Sequence, residues 1–452
     1  MKLILQFLFI FSISLANATE DSLFIRNIHT EALVKGQAYE NLRSLCKDIG
    51  ARISGSAEAE MAVYWGKGLL ESYGFDKVYL QEVQVPHWER GTTEAAWIIN
   101  GDNEIIKLDI LALGGSIATD GLIDGDVVEV KNLNHLQSKT KAEIEGKIVF
   151  INKPFDQSHI QTFKAYGACY PIRGYGAIEA SKLGAKAVVI RSLATPTDEH
   201  AHTGTMSYKD EVKKIPAAAI STLNADKLSS WLKDGNVTLK MEMDCEKMDD
   251  VTSYNVIAEM TGHKDESIIT FGGHLDSWDV GEGAHDDGAG IAHSIEALRI
   301  LKDLDYKPNH TLRLVLFMNE ENGNRGGKSY AKKSFDKGEK HICALETDRG
   351  GFLPIGFDIV GDAKQIDFVK SFKPLLYDFQ LFKFQKGYGG VDINPLRTYY
   401  PEMIQLGMSI SSQRYFNYHH TEADVFETVN KRELELGAAA MASLIYLMDK
   451  NL

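Results

Sequence analysis

The chain has 452 residues, 44% hydrophobic and 25% charged, with 63 acidic residues against 49 basic ones and a net charge of −14. That composition excludes collagen, coiled coil, a disulfide-stapled miniprotein and a mostly disordered chain, and it argues against bulk-charge binding of nucleic acid or anionic lipid. The length suits about three domains, or one large α/β domain with an insertion, and its core needs no metal or disulfide staple.

Met1-Lys2, the apolar run Leu3 to Ala16 and the A-x-A site Ala16-Asn17-Ala18 predict a secretory signal peptide over residues 1–18, cut after Ala18. The run is too short to span a bilayer comfortably, and no later segment has about 18 uninterrupted apolar residues. A secreted protein, periplasmic or extracellular, without stable membrane insertion is expected. Cys46, Cys169, Cys245 and Cys343 lie far apart without a C-x-x-C. Export permits disulfides, but spacing does not choose among the pairings, and buried free thiols fit equally well.

Ala38–Ile49 and Ala57–Tyr73 carry helical spacing, joined by the Gly/Ser-rich turn Gly50–Ser56, whose Ser56 can cap the second helix. Val78–Val85 reads as a strand. Between Leu111 and Asp244 the texture changes to short strands such as Val127–Val130 and Lys147–Ile151, a helix at Tyr175–Leu183 and the apolar strand Ala187–Ile190. Leu193–Tyr208, rich in Thr, Pro, Asp and Gly, reads as a surface loop. From Ser253 onward strands alternate with helices. The strands are Asn255–Met260, Ser267–Gly272, Thr311–Met318 and Ile342–Glu346; the helices are Ala289–Asp303, Arg325–Phe335, Ala363–Leu376 and Arg432–Lys450. Such alternation, with strands apolar throughout, predicts a mixed or parallel sheet covered on both faces.

Ionisable residues gather where these strands end, which is where open α/β sheets build their binding crevice. Gly273-His274-Leu275-Asp276-Ser277-Trp278-Asp279 follows one strand, and Glu320-Glu321 ends the strongest. Asp348 follows a third, His285-Asp286-Asp287-Gly288 opens a helix, and His419-His420 lies near Asp424. Taken singly, H-x-D describes a capped loop histidine, Glu-Glu a solvated helix surface, Asp-Asp-Gly a helix cap, and the histidine pair an exposed one. Taken together they suit zinc: imidazole with carboxylate binds it, one carboxylate can bridge two ions, and the neighbour of a liganding Glu stays free as a general base. Asp276 is placed to accept the second ring N–H of His274 and so fix its tautomer. His200-x-His202 reads as a loop or interface element, and Trp278 as either a pocket wall or packing against the inserted segment.

The G-G-H-L-D-S-W-D run, the twelve residues from His274 to Asp286, Glu320-Glu321, Asp348, and His420 four before Asp424 resemble the two-zinc aminopeptidase and glutamate carboxypeptidase family. The resemblance covers nearly the whole mature chain, including an inserted segment that looks like a protease-associated domain with His202-Thr203-Gly204 and Lys214-Ile215-Pro216. It implies the zinc exopeptidase fold, an α/β mixed and mostly parallel sheet with helices on both faces, split over 19–110 and 246–452 around a β-rich insertion at 111–245. It implies two Zn²⁺ per chain bridged by Asp286, one held with His274 and Asp348, the other with Glu321 and His420. Glu320 is then the general base, Asp276 the partner of His274, and the Asp286–Asp287 peptide is cis. Val425, where relatives have Thr, and His419, where many have Tyr, depart from the pattern; the second bears on how a tetrahedral intermediate is stabilised. The implied activity is a secreted exopeptidase acting on short peptides, of carboxypeptidase or dipeptidase type, with an aminopeptidase on the same site as the alternative. Non-catalytic receptor-like proteins and glutaminyl cyclase-like acyltransferases share related folds. A homodimer is implied by the relatives alone.

Overall fold

The computed structural model describes residues 20–102 and 104–452. The signal peptide expected over residues 1–18 lies outside the described residues. Among those described, no helix is long and apolar enough to cross a membrane.

The described residues build two eight-stranded sheets and a two-stranded one, Trp88–Glu89 with Glu246–Lys247. The central one comprises β1 (Lys77–Val85), β2 (Val251–Met260), β3 (Ser267–His274), β4 (Thr311–Phe317), β5 (Lys340–Glu346), β6 (Pro354–Val360), β7 (Lys383–Lys386) and β8 (Ile404–Ile410), in the order β1-β2-β4-β3-β5-β8-β6-β7. Its middle strands β4, β3, β5 and β8 are parallel, while β1, β2 and β6 pair antiparallel with their inner neighbours. Alternate side chains of β4 serve different layers, as a pleated strand requires. Val315 and Phe317 pack with Tyr330 and Ala331 of the helix Arg325–Asp336, whereas Leu314 and Leu316 join the cluster containing Ile291, Ile295 and Leu298 of the helix Ala289–Asp303. This double coverage explains why the central strands carry no polar alternation. The second layer is completed by the helix Lys431–Asn451, which packs on Ala289–Asp303 and starts at Asn430, whose side chain accepts the Glu433 N–H. Ser56 likewise caps Ala57–Ser72.

The second sheet runs Ile105–Leu108, Glu94–Ile99, Thr238–Met243, Ile123–Val130, Ile148–Ile151, Ala187–Arg191, Ala217–Ile220 and Ile110–Ala112. Two of its strands precede residue 111, so the expected boundary there falls inside this sheet. Those two strands pair with each other, Ala96 opposite Leu108, and Ala96 also lies opposite Met241, which ties them to the later strands.

Three further expectations need correction. The helix Ala363–Leu376 is broken into Ala363–Lys370 and Lys373–Leu376, because Pro374 cannot donate to residue 370 and its ring opposes that carbonyl. The helix beginning at Tyr175 starts much earlier, at Thr162, and accommodates Pro171 and three glycines inside a 21-residue span. Leu193–Tyr208 is a surface loop only in part: Thr197 and Glu199 are exposed, but Leu193, His202, Thr203 and Met206 are buried, and His202 and Thr203 bond to residues 419 and 420. All four cysteines are buried and unpaired, so the thiol reading holds.

Candidate metal centre

Four parallel-strand ends and one helix start converge at the C-terminal edge of the central sheet. β3 ends on His274, whose Nδ1–H donates to the backbone carbonyl of Asp276 at 2.9 Å. That turns Nε2 toward the centre, 3.3 Å from Asp286 Oδ1 and 3.6 Å from Asp348 Oδ1. Asp286 presents its other oxygen, Oδ2, to His420 Nε2 at 3.1 Å, and the same imidazole nitrogen lies 3.1 Å from Glu321 Oε2. One carboxylate thus faces two imidazoles, each flanked by a further carboxylate.

The Asp286–Asp287 peptide bond is cis, as expected. Asp424 accepts the backbone N–H groups of His285 and Asp286 at 2.7 and 3.1 Å, and Asp287 accepts those of His274 and Gly290, each at 3.1 Å. The role foreseen for the Asp276 side chain is corrected. Its Oδ1 lies 3.8 Å from the His274 ring, and its carboxylate instead accepts the backbone N–H groups of Asn319, Glu320 and Glu321 at 2.8, 3.1 and 3.3 Å. Asp276 therefore shapes the loop that carries the glutamates, while its main chain fixes the histidine.

Arg52, fully buried in the turn between the first two helices, donates to the carbonyls of Gly50, Leu275, Glu282 and Gly283. It binds the His274 loop to the Asp286 loop. The sequence marked this segment only as a Gly/Ser-rich turn, and a long-range contact to backbone carbonyls leaves no pattern to find. His419, set aside in favour of His420, is also at the centre: its Nε2 is 3.6 Å from Asp286 Oδ2 and its ring stacks on His420 at 3.5 Å. Both histidines are buried, so the exposed-pair reading fails.

The second sheet's loops close this edge. His202 Nδ1–H donates to the His419 carbonyl at 2.7 Å, and Thr203 N–H to that of His420 at 2.9 Å. Trp278 is buried among the second sheet's apolar residues, edge-on to Trp88 and tilted against His420. It therefore packs between the two sheets. A cleft of about 900 Å³ opens beside the centre, with Asp286, Glu320, Asp348, Tyr166, Arg173 and Tyr388 in its walls.

Charge in the centre is far from solution behaviour. Burial would neutralise His274, but Asp286 and Asp348 outweigh it and hold the imidazole well above its ordinary value. For Glu320, burial and then the carboxylates of Glu321, Asp348 and Asp286 push its carboxyl well upward. Burial lifts Glu321 to about 7 despite His420, and Glu346 to about 8. Asp286 Oδ2, Glu321 Oε1 and Asp348 Oδ1 are buried without a hydrogen-bond partner. Unpaired buried carboxylate oxygens are costly, so oxygens converging on imidazole nitrogens mark a cation site. His274, Asp286, Glu321 and His419 or His420 all fall in groups with ligand atoms close enough to share an ion, as do Asp287 and Asp348 with His274.

Carboxylates and imidazoles arranged in this way beside a peptide-sized cleft define a metallopeptidase. Residues 255–445 match Peptidase family M28. Carboxypeptidase Q of Mus musculus is 34% identical over 442 residues, 96% of this chain and 90% of its own length. The Homo sapiens protein of that name is 34% identical over 94% of this chain and 88% of its own. The chain belongs to Peptidase family M28. A crystal structure of a Peptidase M28 precursor from Shewanella amazonensis SB2B superposes with a TM-score of 0.91 at 34% identity, covering 96% of this chain and 97% of that one. BSAP, a zinc aminopeptidase from Bacillus subtilis, shares the fold with a TM-score of 0.65 at 18% identity, over 92% and 96% of the two chains.

Proposed function

We propose that this chain is an exported di-zinc exopeptidase that hydrolyses short peptides in the manner of carboxypeptidase Q. The observation that carries the reading is the Asp286 carboxylate, whose Oδ1 faces His274 Nε2 and whose Oδ2 faces His420 Nε2. A bridging carboxylate between two cation positions needs that disposition. Asp286 would bridge, His274 and Asp348 would complete one position, and Glu321 and His420 the other. Imidazole nitrogen with carboxylate oxygen, and no thiolate, suits zinc. When bound, the pair of ions acidifies water and polarises the scissile carbonyl.

Glu320 lies in the cleft wall beside these groups, and its side chain is free of any hydrogen bond among the described residues. It accepts the proton of the attacking water and later hands it to the leaving amine nitrogen. Export would follow from residues 1–18. Similarity to carboxypeptidase Q supports a carboxypeptidase or dipeptidase; an aminopeptidase uses the same groups and differs only in which peptide terminus is read.

Glu320→Gln tests the assignment. Metal content should stay unchanged while hydrolysis of an unblocked dipeptide falls by about 10²–10⁴-fold; hydrolysis at the wild-type rate would dismiss Glu320 as the base. Cleavage of free but not N-acetylated dipeptides would show that the free amine is read, and equal cleavage of both would assign the carboxyl end.

A further inference from the structure

The helix Thr162–Lys182 of the second sheet sends two side chains, two turns apart, toward the metal centre. Arg173 is 3% exposed, and no Asp or Glu pairs with it among the described residues. Its Nη1 donates to the Thr203 carbonyl at 3.2 Å and lies 3.3 Å from His420 Nδ1, while Nε has no partner. Its Nη2 donates to the Tyr166 hydroxyl at 2.6 Å. A buried guanidinium without a carboxylate is expensive, and the Tyr166 and Tyr170 rings it lies over, at 5.4 and 5.3 Å, offset only part of that cost. The Tyr166 oxygen is thereby occupied as an acceptor, and its own proton has no acceptor among the described residues. Both residues wall the cleft with Asp286 and Glu320. The Tyr166 ring stands edge-on to His419 at 5.1 Å, and His419 stacks on His420. Burial, outweighing Arg173, pushes the Tyr166 hydroxyl up to about 12, so it remains a donor at neutral pH.

We propose that Tyr166 is a catalytic residue whose O–H donates to the oxyanion formed from the scissile carbonyl, and that Arg173 is a positioning residue that aims and polarises that hydroxyl. The proposal rests on the peptidase reading above. The water oxygen, having lost a proton to Glu320, forms a bond to the carbonyl carbon. The C=O π pair moves onto the carbonyl oxygen, which Tyr166 stabilises by a hydrogen bond without giving up its proton. On collapse that pair re-forms C=O, the C–N bond breaks with its electrons on nitrogen, and nitrogen takes the proton from Glu320. The guanidinium behind Tyr166 makes the hydroxyl a stronger donor as negative charge develops, which is where a fixed dipole accelerates a reaction. The second sheet thus contributes to the chemistry as well as covering it.

The test uses the full mature chain loaded with zinc, with Tyr166→Phe, Arg173→Met and the double variant. Tyr166→Phe should lower kcat by about 10²–10³-fold, the loss typical of one oxyanion donor, with KM within about twofold and zinc content unchanged. Affinity for a phosphinic dipeptide analogue, whose tetrahedral P–O group mimics the oxyanion, should fall by a similar factor, and affinity for the product amino acids should not. Arg173→Met should lower kcat less, and the double variant should be no slower than Tyr166→Phe, because the arginine acts through the hydroxyl. A raised KM at constant kcat would make Tyr166 a substrate contact and overturn the proposal. Unchanged phosphinate affinity would also overturn it, and so would additive losses for the arginine's part. Failure of the peptidase reading shows separately: Glu320→Gln would then still hydrolyse, whereas phosphinate binding reports on Tyr166 without turnover.

Discussion

The two sheets are built alike, each with eight strands and a parallel middle, and both send loops into one cleft. Their edges differ in chemistry. In the central sheet β3 ends on His274, and the loops after β4 and β5 carry Glu320-Glu321 and Asp348, with Glu321 Oε1 and Asp348 Oδ1 buried and unpaired. Three of the four parallel strands of the second sheet end at Ile151, Arg191 and Ile220, and their followers Asn152, Ser192 and Ser221 bond within the sheet's own loops or cap a helix. That sheet reaches the centre through the His202 imidazole and the Thr203 main chain, and through Tyr166 and Arg173. Strand-end architecture alone therefore does not make a metal site. Several acids that a fold will bury only at a cost are also needed, and a cation is what repays it.

The contrast predicts that metal is lost by changes on one edge only. Asp286→Ala removes both oxygens that face the imidazoles, so zinc should fall below one ion per chain and activity by more than about a thousandfold. Elemental analysis showing two ions retained would break the distinction between the edges, as would metal loss in Tyr166→Phe. Asp276→Asn should do less. It turns an amide N–H₂ toward three backbone donors and loosens the glutamate loop without removing a metal contact, for about a 10–100-fold loss of metal affinity or activity. A loss as large as that of Asp286→Ala would mean that Asp276 contacts the ions directly.

The edge rich in acids was legible because each apolar strand is followed at once by an ionisable residue, a pattern local to the sequence. His274, Asp286, Glu321, Asp348 and His420 are indeed brought together. What holds them there was not legible. Arg52 acts on carbonyls 223 to 231 residues away, and Asp424 on N–H groups 138 and 139 residues away, contacts for which any loop would look the same. The Asp276 error has a similar root, since H-x-D predicts proximity without saying whether main chain or side chain meets the ring. The buried part of the loop 193–208 was misjudged because its polar composition suits a surface, whereas the His202 imidazole and the Thr203 N–H bond to the carbonyls of residues 419 and 420. Pro171 and the glycines near it hid the first half of the helix that carries Tyr166 and Arg173, so the cleft's second wall went unread.

Glu435 offers the smallest effect and a control on what a buried acid means away from that edge. It is 2% exposed on the last helix, with Oε1 accepting the Tyr39 N–H at 3.2 Å and Oε2 unpaired. Burial first, then the neighbouring Glu296, raises its pKa from 4.5 to about 7. A carboxyl raised on folding keeps its proton in the native state after the unfolded chain has lost it. Stability therefore declines as pH rises from 4.5 to about 7, then levels off. Glu435→Gln keeps the acceptor for Tyr39 and removes the titration. It should be nearly neutral at pH 4.5 and stabilising above pH 7, by at most about 3 kcal/mol, in urea unfolding at both pH values. Arg299, which binds Glu296 through two nitrogens at 2.7 and 2.8 Å, supplies the compensating charge in this cluster, and among the described residues no imidazole bonds to it. A stabilised variant with unchanged zinc content would show that this acid is a tolerated cost of packing. Loss of zinc on replacing Glu435 would instead extend the metal edge through the helix layer, against the separation that its arginine implies.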